Sequence, residues 1–206
     1  MRKKDIVIID YGMGNLLSVD KAFQKLGYQT VVTRDPEVLQ RAEKVVFPGV
    51  GAFGQCVLNL EKFNLRLCIQ DVIKRKVPFL GICLGLQLLF DSSEESPEVQ
   101  GLGIFKGKVV RFCGNHKVPH MGWNSISFAQ EKHCPIFKEL KSGDYMYFTH
   151  SYYVCPEDPD LSIAFTRYGE NFVSAIWKGN VFATQFHPEK SQAVGLKVLK
   201  SFGELY

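Results

Sequence analysis

The sequence predicts an α/β protein with a central, mainly parallel sheet, flanking helices and antiparallel strands in its C-terminal half. Two observations carry this. Over residues 5–90, short apolar β-rich runs alternate with helical periods, the mark of βαβ units with right-handed crossovers. Beyond a polar loop at 91–103 the helical periods give way to strand-like runs joined by short turns, as in antiparallel hairpins. With 206 residues, 46% of them hydrophobic, the chain has the size and composition of one α/β domain spanning 1–206. It holds no internal repeat, low-complexity tract or linker.

Taken in order, "DIVIID" reads as a strand and "LLSVDKAFQKLG" as an amphipathic helix. "QTVVT" is a strand followed by a short acidic turn, and "KVVFP" a strand followed by one long helical period over 54–75. "VPFLGI" is a strand that runs directly into the helical "LGLQLLF". The second half offers strands at "GKVVRF", "WNSISFA", "YMYFTHSYYV", "SIAFTRYG", "FVSAIW" and "VFATQF", the last two joined by the turn "KGN". The closing "SQAVGLKVLKSFGELY" reads as an amphipathic helix covering the sheet.

Composition excludes several classes of function. The formal net charge is only +4 and the basic residues are scattered apart from "KRK" at 74–76, so no nucleic-acid footprint stands out. The apolar stretch after "MRKK" ends at Asp10, too short for a signal-peptide core, and no segment approaches a membrane span. Six widely spaced cysteines without a CxxC pair read as reduced thiols of a cytoplasmic protein.

One of those cysteines has a different setting. Gly81-Ile82-Cys83-Leu84-Gly85 follows a strand and opens a helix, the layout of a nucleophile elbow with cysteine in place of serine. Small residues on either side let the backbone pass close by. The helix N-terminus favours thiolate over thiol, and the Leu84 amide can face a developing oxyanion. The bland reading is a buried cysteine on a glycine-containing turn.

A cysteine nucleophile needs a base, and the base an orienting partner. "TQFHPEKS" supplies both in His187 and Glu189. Pro188 restricts itself and its predecessor to an extended segment, in which positions two apart share a side. His116 and His120 have the spacing of helical zinc ligands, but Pro119 breaks such a helix and a third ligand is missing, so no metal is expected. His133 and His150 read as surface or satisfied polar residues, with His150 a candidate to line a pocket. "GVGAFG" at 49–54 is a formal GxGxxG, yet the acidic residue at the required distance, Asp71, falls inside a helical period. The glycine loop suits an oxyanion site better than a dinucleotide.

With these pieces assembled, the chain resembles the class I (triad) glutamine amidotransferases, which hydrolyse glutamine with a cysteine, a histidine and a glutamate. The matching motifs are "DYGMGNL", "PGVGAFG", "GICLGLQLLF", "VPHMGWN", "YFTHSYY" and "QFHPEKS". Within that class it is similar to the glutaminase subunits of histidine biosynthesis. The resemblance implies a flavodoxin-like domain, no cofactor, and a triad of Cys83, His187 and Glu189. It places oxyanion contacts at the amides of Leu84 and, after its loop rearranges, Val50. Glutamine would be held by Gly51, Gln87, Ser151 and Tyr152.

The resemblance also implies a partner: a separate (β/α)₈-barrel cyclase, forming a heterodimer with this chain and receiving ammonia through a protected channel. The cyclase would form imidazole glycerol phosphate and an aminoimidazole carboxamide ribotide from a ribulosyl precursor. Asn15, Met121, Trp123, Tyr147 and Lys190 are expected at or near that interface, and the "PGVG" loop is expected to gate ammonia release. Three rival readings remain: a paralogue feeding ammonia to a nucleotide-sugar or surface-polysaccharide pathway, a non-catalytic dinucleotide-binding module, and a stand-alone cysteine hydrolase.

Overall fold

The first strand, β1 (Ile6–Ile9), is buried on both faces, and its side chains divide the interior. Ile6 and Ile8 join one apolar cluster while Val7 and Ile9 join another, as the two-residue period of a strand requires. The computed structural model describes residues 5–129 and 133–205, so the basic start "MRKK" and the last residue of the closing helical period lie outside the described residues.

Helix α1 (Leu16–Lys25) leads to the edge strand β2 (Thr30–Thr33) and the short helix α2 (Pro36–Gln40). This helix stands where an acidic turn is expected from sequence: the Asp35 side chain accepts the Glu37 N–H and Pro36 occupies the first helical position. Next come β3 (Val45–Gly49), α3 (Phe53–Lys62), α4 (Leu65–Lys74), β4 (Phe79–Cys83) and α5 (Leu84–Gln87).

The long helical period at 54–75 is two helices, because Asn64 adopts the left-handed conformation at φ 55°, which asparagine tolerates. The buried stripe of α3 (Phe53, Cys56, Val57, Leu60) restarts one position out of phase at Leu65 in α4. Likewise α5 stops early. The returning loop donates the N–H groups of Leu102 and Ile104 to the carbonyls of Leu88 and Leu89, taking acceptors a longer helix would use.

The second half contributes β5 (Ser92–Ser93), β6 (Gly107–Arg111), β7 (His120–Ser125), β8 (Ser127–Phe128), β9 (Tyr145–His150), β10 (Tyr152–Pro156), β11 (Ser162–Tyr168), β12 (Glu170–Lys178) and β13 (Val181–Thr184), before α6 (Gln192–Gly203). Strands β2-β1-β3-β4-β13 are mutually parallel. The sheet then continues antiparallel through β12, β10 and β6. Helices α1 and α6 cover one face with Phe23, Val198 and Phe202, and α3 and α4 the other. β7 and β9 pair in a separate two-stranded ribbon with His120 opposite His150 and Trp123 opposite Tyr147.

Candidate active site

The carboxyl ends of β3, β4 and β13 lie side by side and deliver the loop 49–51, Cys83 and the segment 185–189 to one place. Cys83 closes β4 with φ 55° and ψ −107°, a conformation that costs a residue with a side chain about 1–3 kcal/mol. Its glycine neighbours explain how the turn packs. A Cβ on Gly85 would lie 2.0 Å from the Phe47 carbonyl oxygen, and one on Gly81 would lie 2.9 Å from that of Gly85. The elbow thus presses its backbone into β3. Since α5 has only four residues, its axial dipole is weaker than the sequence suggests, and the local Leu84 amide carries the argument for anion stabilisation.

His187 follows β13 and is pinned by its backbone: its N–H donates to the Tyr147 carbonyl at 2.9 Å, and its carbonyl accepts from the Ser191 hydroxyl at 2.6 Å. Pro188–Lys190 form a 3₁₀ turn rather than the extended segment expected. The turn, not strand alternation, swings Glu189 back to bring Oε1 2.8 Å from His187 Nδ1. Both side chains are almost wholly buried. Burial works against an imidazolium here, but the neighbouring Cys83 and then Glu189 outweigh it, raising the His187 pKa to about 10. His187 Nε2 has no hydrogen bond of standard geometry, although Cys83 is close enough to act on its charge.

Cys83 opens onto a pocket of about 270 Å³ also lined by Val50, Gly51, Leu84, Gln87, Ser151 and Tyr152. Every oxyanion and substrate residue that the resemblance implies therefore lies at the pocket with Cys83. So does His150, the candidate pocket histidine. The loop glycines are constrained differently. A Cβ on Gly49 would strike the elbow at Leu84 Cβ (2.7 Å), whereas one on Gly51, at φ +108°, would meet only the mobile end of Met13. A larger groove of about 550 Å³ lies among β1, β2 and α2, lined by Val7, Val31, Glu37 and Val38 among others. No cysteine, serine or histidine lines it among the described residues, so chemistry rather than size selects the smaller pocket.

Met121 and Trp123 share one face of β7 and are exposed, as alternation requires. Trp123 packs edge-on to Tyr147 across the ribbon, with ring centroids 6.1 Å apart, and the Lys190 ammonium lies 5.9 Å from the Tyr147 ring. These four form one patch; Asn15 precedes α1 at the carboxyl end of β1.

Sequence reasoning missed three site residues. Glu95, in the loop read only as polar, is the sole carboxylate lining the pocket among the described residues, and it also accepts the Phe53 N–H at 2.8 Å. Gln185 is fully buried and directs Nε2 at the Cys83 sulfur, 3.6 Å away. His120, dismissed as a metal ligand, is stacked between Phe148 and Tyr168 and bonded through Nδ1 to His150 Nε2 at 3.0 Å. Only Gln185 had a legible signal: it stands two residues before His187, as Glu189 stands two after.

Residues 7–203 match the model of the family described as Glutamine amidotransferase class-I. The chain is 54% identical to the Imidazole glycerol phosphate synthase subunit HisH of Syntrophotalea carbinolica, covering 97% of this chain and all of that protein. It is 52% identical to the subunit of the same name from Aquifex aeolicus, over 95% of this chain and 94% of that one. Among solved structures, PurLQS from Thermotoga maritima superimposes with a TM-score of 0.76 at 18% identity, over 97% of both chains. That last likeness speaks to the fold alone.

Proposed function

The chain belongs to the class I glutamine amidotransferases, and from that premise we propose that Cys83, His187 and Glu189 carry its reaction. It is an enzyme: the glutamine-hydrolysing subunit of an imidazole glycerol phosphate synthase, acting in histidine biosynthesis. The observation that carries the site assignment is the buried His187–Glu189 pair acting on a cysteine held in a strained elbow.

The Cys83 thiolate attacks the side-chain amide carbon of glutamine, and the carbonyl electrons move to an oxyanion facing the Leu84 amide. His187, protonated, gives its Nε2 proton to the departing nitrogen, so ammonia leaves and a glutamyl thioester remains. The neutral imidazole then takes a proton from water as that water attacks the thioester, and glutamate departs with Cys83 restored. Glu189 keeps its charge throughout, orienting the ring and stabilising the imidazolium. In the pocket, Glu95 suits the substrate's α-ammonium, while Gln87, Ser151, Tyr152 and the Gly51 backbone fix its polar groups.

The second oxyanion donor is the Val50 amide, delivered when the loop 48–51 rearranges. A missing donor costs about 3–4 kcal/mol of transition-state stabilisation, enough to silence ammonia production until a partner engages. That partner is a separate (β/α)₈-barrel cyclase, seated on the patch of Met121, Trp123, Tyr147 and Lys190 and reaching Asn15. An aromatic anchor beside a cation has the chemistry of an interface hot spot. Six free cysteines fit a reducing, cytoplasmic setting, and no helix among the described residues is long and apolar enough to cross a membrane.

The test is glutamate release by wild-type and Cys83→Ala protein, each alone and with the cyclase and its nucleotide substrate. Release that requires cyclase, substrate and Cys83 together is expected. Silence of the wild type beside a cyclase competent on free ammonia would overturn the partner and favour the nucleotide-sugar paralogue.

A further inference from the structure

We propose that Gln185 is a further catalytic residue: its side-chain N–H donates to the Cys83 sulfur and holds negative charge there, and a hydrogen-bond network of fixed sense presents that amide nitrogen-first. The inference rests on Cys83 being the nucleophile of the proposed reaction, and it adds a group that the triad does not contain.

The direction of every bond follows from one acceptor. The Tyr152 carbonyl can only accept, so Gln87 must turn Nε2 toward it, at 2.9 Å. The same nitrogen donates to Gln185 Oε1 at 3.1 Å. With its oxygen occupied, Gln185 has only its nitrogen to present to the sulfur, at 3.6 Å. On the other side of the carbonyl, His150 Nδ1 lies 2.8 Å away and must carry its proton. His150 Nε2 is then an acceptor for His120 Nδ1–H at 3.0 Å, and His120 Nε2 accepts from Asn124 Nδ2 at 3.3 Å. Donors therefore meet the Tyr152 carbonyl from both sides, through His150 and Gln87, and a second limb runs from Gln87 away from the carbonyl, through Gln185 to the Cys83 sulfur.

The surroundings keep that sense. Gln185 is wholly buried and its backbone N–H is tied to the Ser174 carbonyl at 2.8 Å. Gln87 and both histidines are buried too. Burial holds the imidazoles neutral, with His150 pushed down to about 3 and His120 to about 4, so neither reverses its bond near neutral pH. A donor aimed at a sulfur favours its charged form, and a low dielectric strengthens the effect.

The experiment uses the whole purified chain without glutamine. Alkylation of Cys83 by iodoacetamide is followed by peptide mass spectrometry across pH, because the rate tracks the thiolate fraction. Gln185→Met, similar in shape but unable to donate, is expected to move the apparent midpoint up by about one pH unit, a tenfold smaller thiolate fraction below the midpoint. Its limiting rate at high pH should not fall, because a more basic thiolate is the better nucleophile. Gln185→Glu, which sets a carboxylate beside the sulfur, should move the midpoint further up, and Gln87→Met should move it less in the same direction.

A midpoint unchanged in Gln185→Met, or lowered in Gln185→Glu, overturns the proposal. A purely structural role predicts altered thermal unfolding with no displacement of the midpoint. If Gln185→Met does not fold, the other two variants decide by the same criterion. Alkylation involves no substrate, so the two readings fail separately. A shift in a protein that never hydrolyses glutamine removes only the function, and a glutaminase without the shift removes only the role of Gln185.

Discussion

His187 and His150 are both buried, within electrostatic reach of one another, and their acidities are driven in opposite directions. Around His187, Glu189 supplies a carboxylate oxygen at 2.8 Å and Cys83 a potential thiolate, and the imidazolium is favoured. Around His150 the direct partners are a carbonyl and a second imidazole, and the neutral ring is favoured. Burial is common to both; a neighbouring negative charge is not. The lesson is that the partner's charge decides which buried histidine favours the imidazolium and which stays neutral within a hydrogen-bond network.

The substitution that most directly breaks this contrast is Glu189→Gln. It keeps an oxygen able to accept the Nδ1 proton but removes the charge. His187 should become less basic, and partner-stimulated glutamate release should fall about 10³–10⁴-fold, the loss expected when an orienting carboxylate loses its charge. An NMR titration of the imidazole alongside turnover checks both. If the acidity of His187 did not change, Cys83 alone would account for its basicity, and the orienting role of Glu189 would be purely geometric.

The sequence was most legible where chemistry demands a special backbone. Gly81 and Gly85 mark the elbow because a Cβ at Gly85 would strike the Phe47 carbonyl of β3 and one at Gly81 the Gly85 carbonyl, and "HPE" marks the pairing of His187 with Glu189. The parallel strands showed as apolar runs because they are buried on both faces. Tertiary competition was not legible. Nothing local in "LGLQLLF" says that a returning loop will take the carbonyls of Leu88 and Leu89, and nothing in the 54–75 period says that Asn64 will turn left-handed. Glu95 and the His120–His150 pair act through partners 30 or more residues away, and no periodicity encodes such distances. The expectation of an oxyanion donor at Val50 and of a partner patch came from resemblance, not from spacing.

A sharper form of the histidine contrast is thermodynamic. His120 and His150 have folded-state values near 4 and 3, below the ordinary 6.5. Between those values the unfolded chain binds protons that the folded one refuses. Their contribution to stability is therefore fully present above about pH 6.5 and is lost as pH falls toward 4 and 3. For His187 the folded value is raised, so its contribution is fully present below about pH 6.5 and is lost as pH rises toward about 10. Urea unfolding across pH should show proton uptake on the acid side and proton release on the alkaline side. His120→Phe keeps an aromatic ring between Phe148 and Tyr168 but cannot titrate, so it should reduce acid-side uptake by up to about one proton. Undiminished uptake would mean that His120 is not held neutral by the fold.

The smallest effect is expected from converting one kind of histidine toward the other. Asn124→Asp would give His120 a carboxylate near Nε2, as Glu189 serves His187. An acceptor there requires a proton on Nε2, while the bond to His150 Nε2 still requires one on His120 Nδ1. Both demands are met only by the imidazolium, so the substitution should make His120 more basic. Position 124 is only half-buried and water screens its charge, so the rise should fall well short of that at His187. A nitrogen-15 spectrum of the imidazole across pH distinguishes the outcomes. A doubly protonated His120 persisting to higher pH than in the wild type supports the rule that partner charge, not burial, sorts the histidines. A ring that simply exchanges its Nδ1 proton for an Nε2 proton and stays neutral would break that rule at this position. It would also show that the chain to Tyr152 can be interrupted without placing a charge in it.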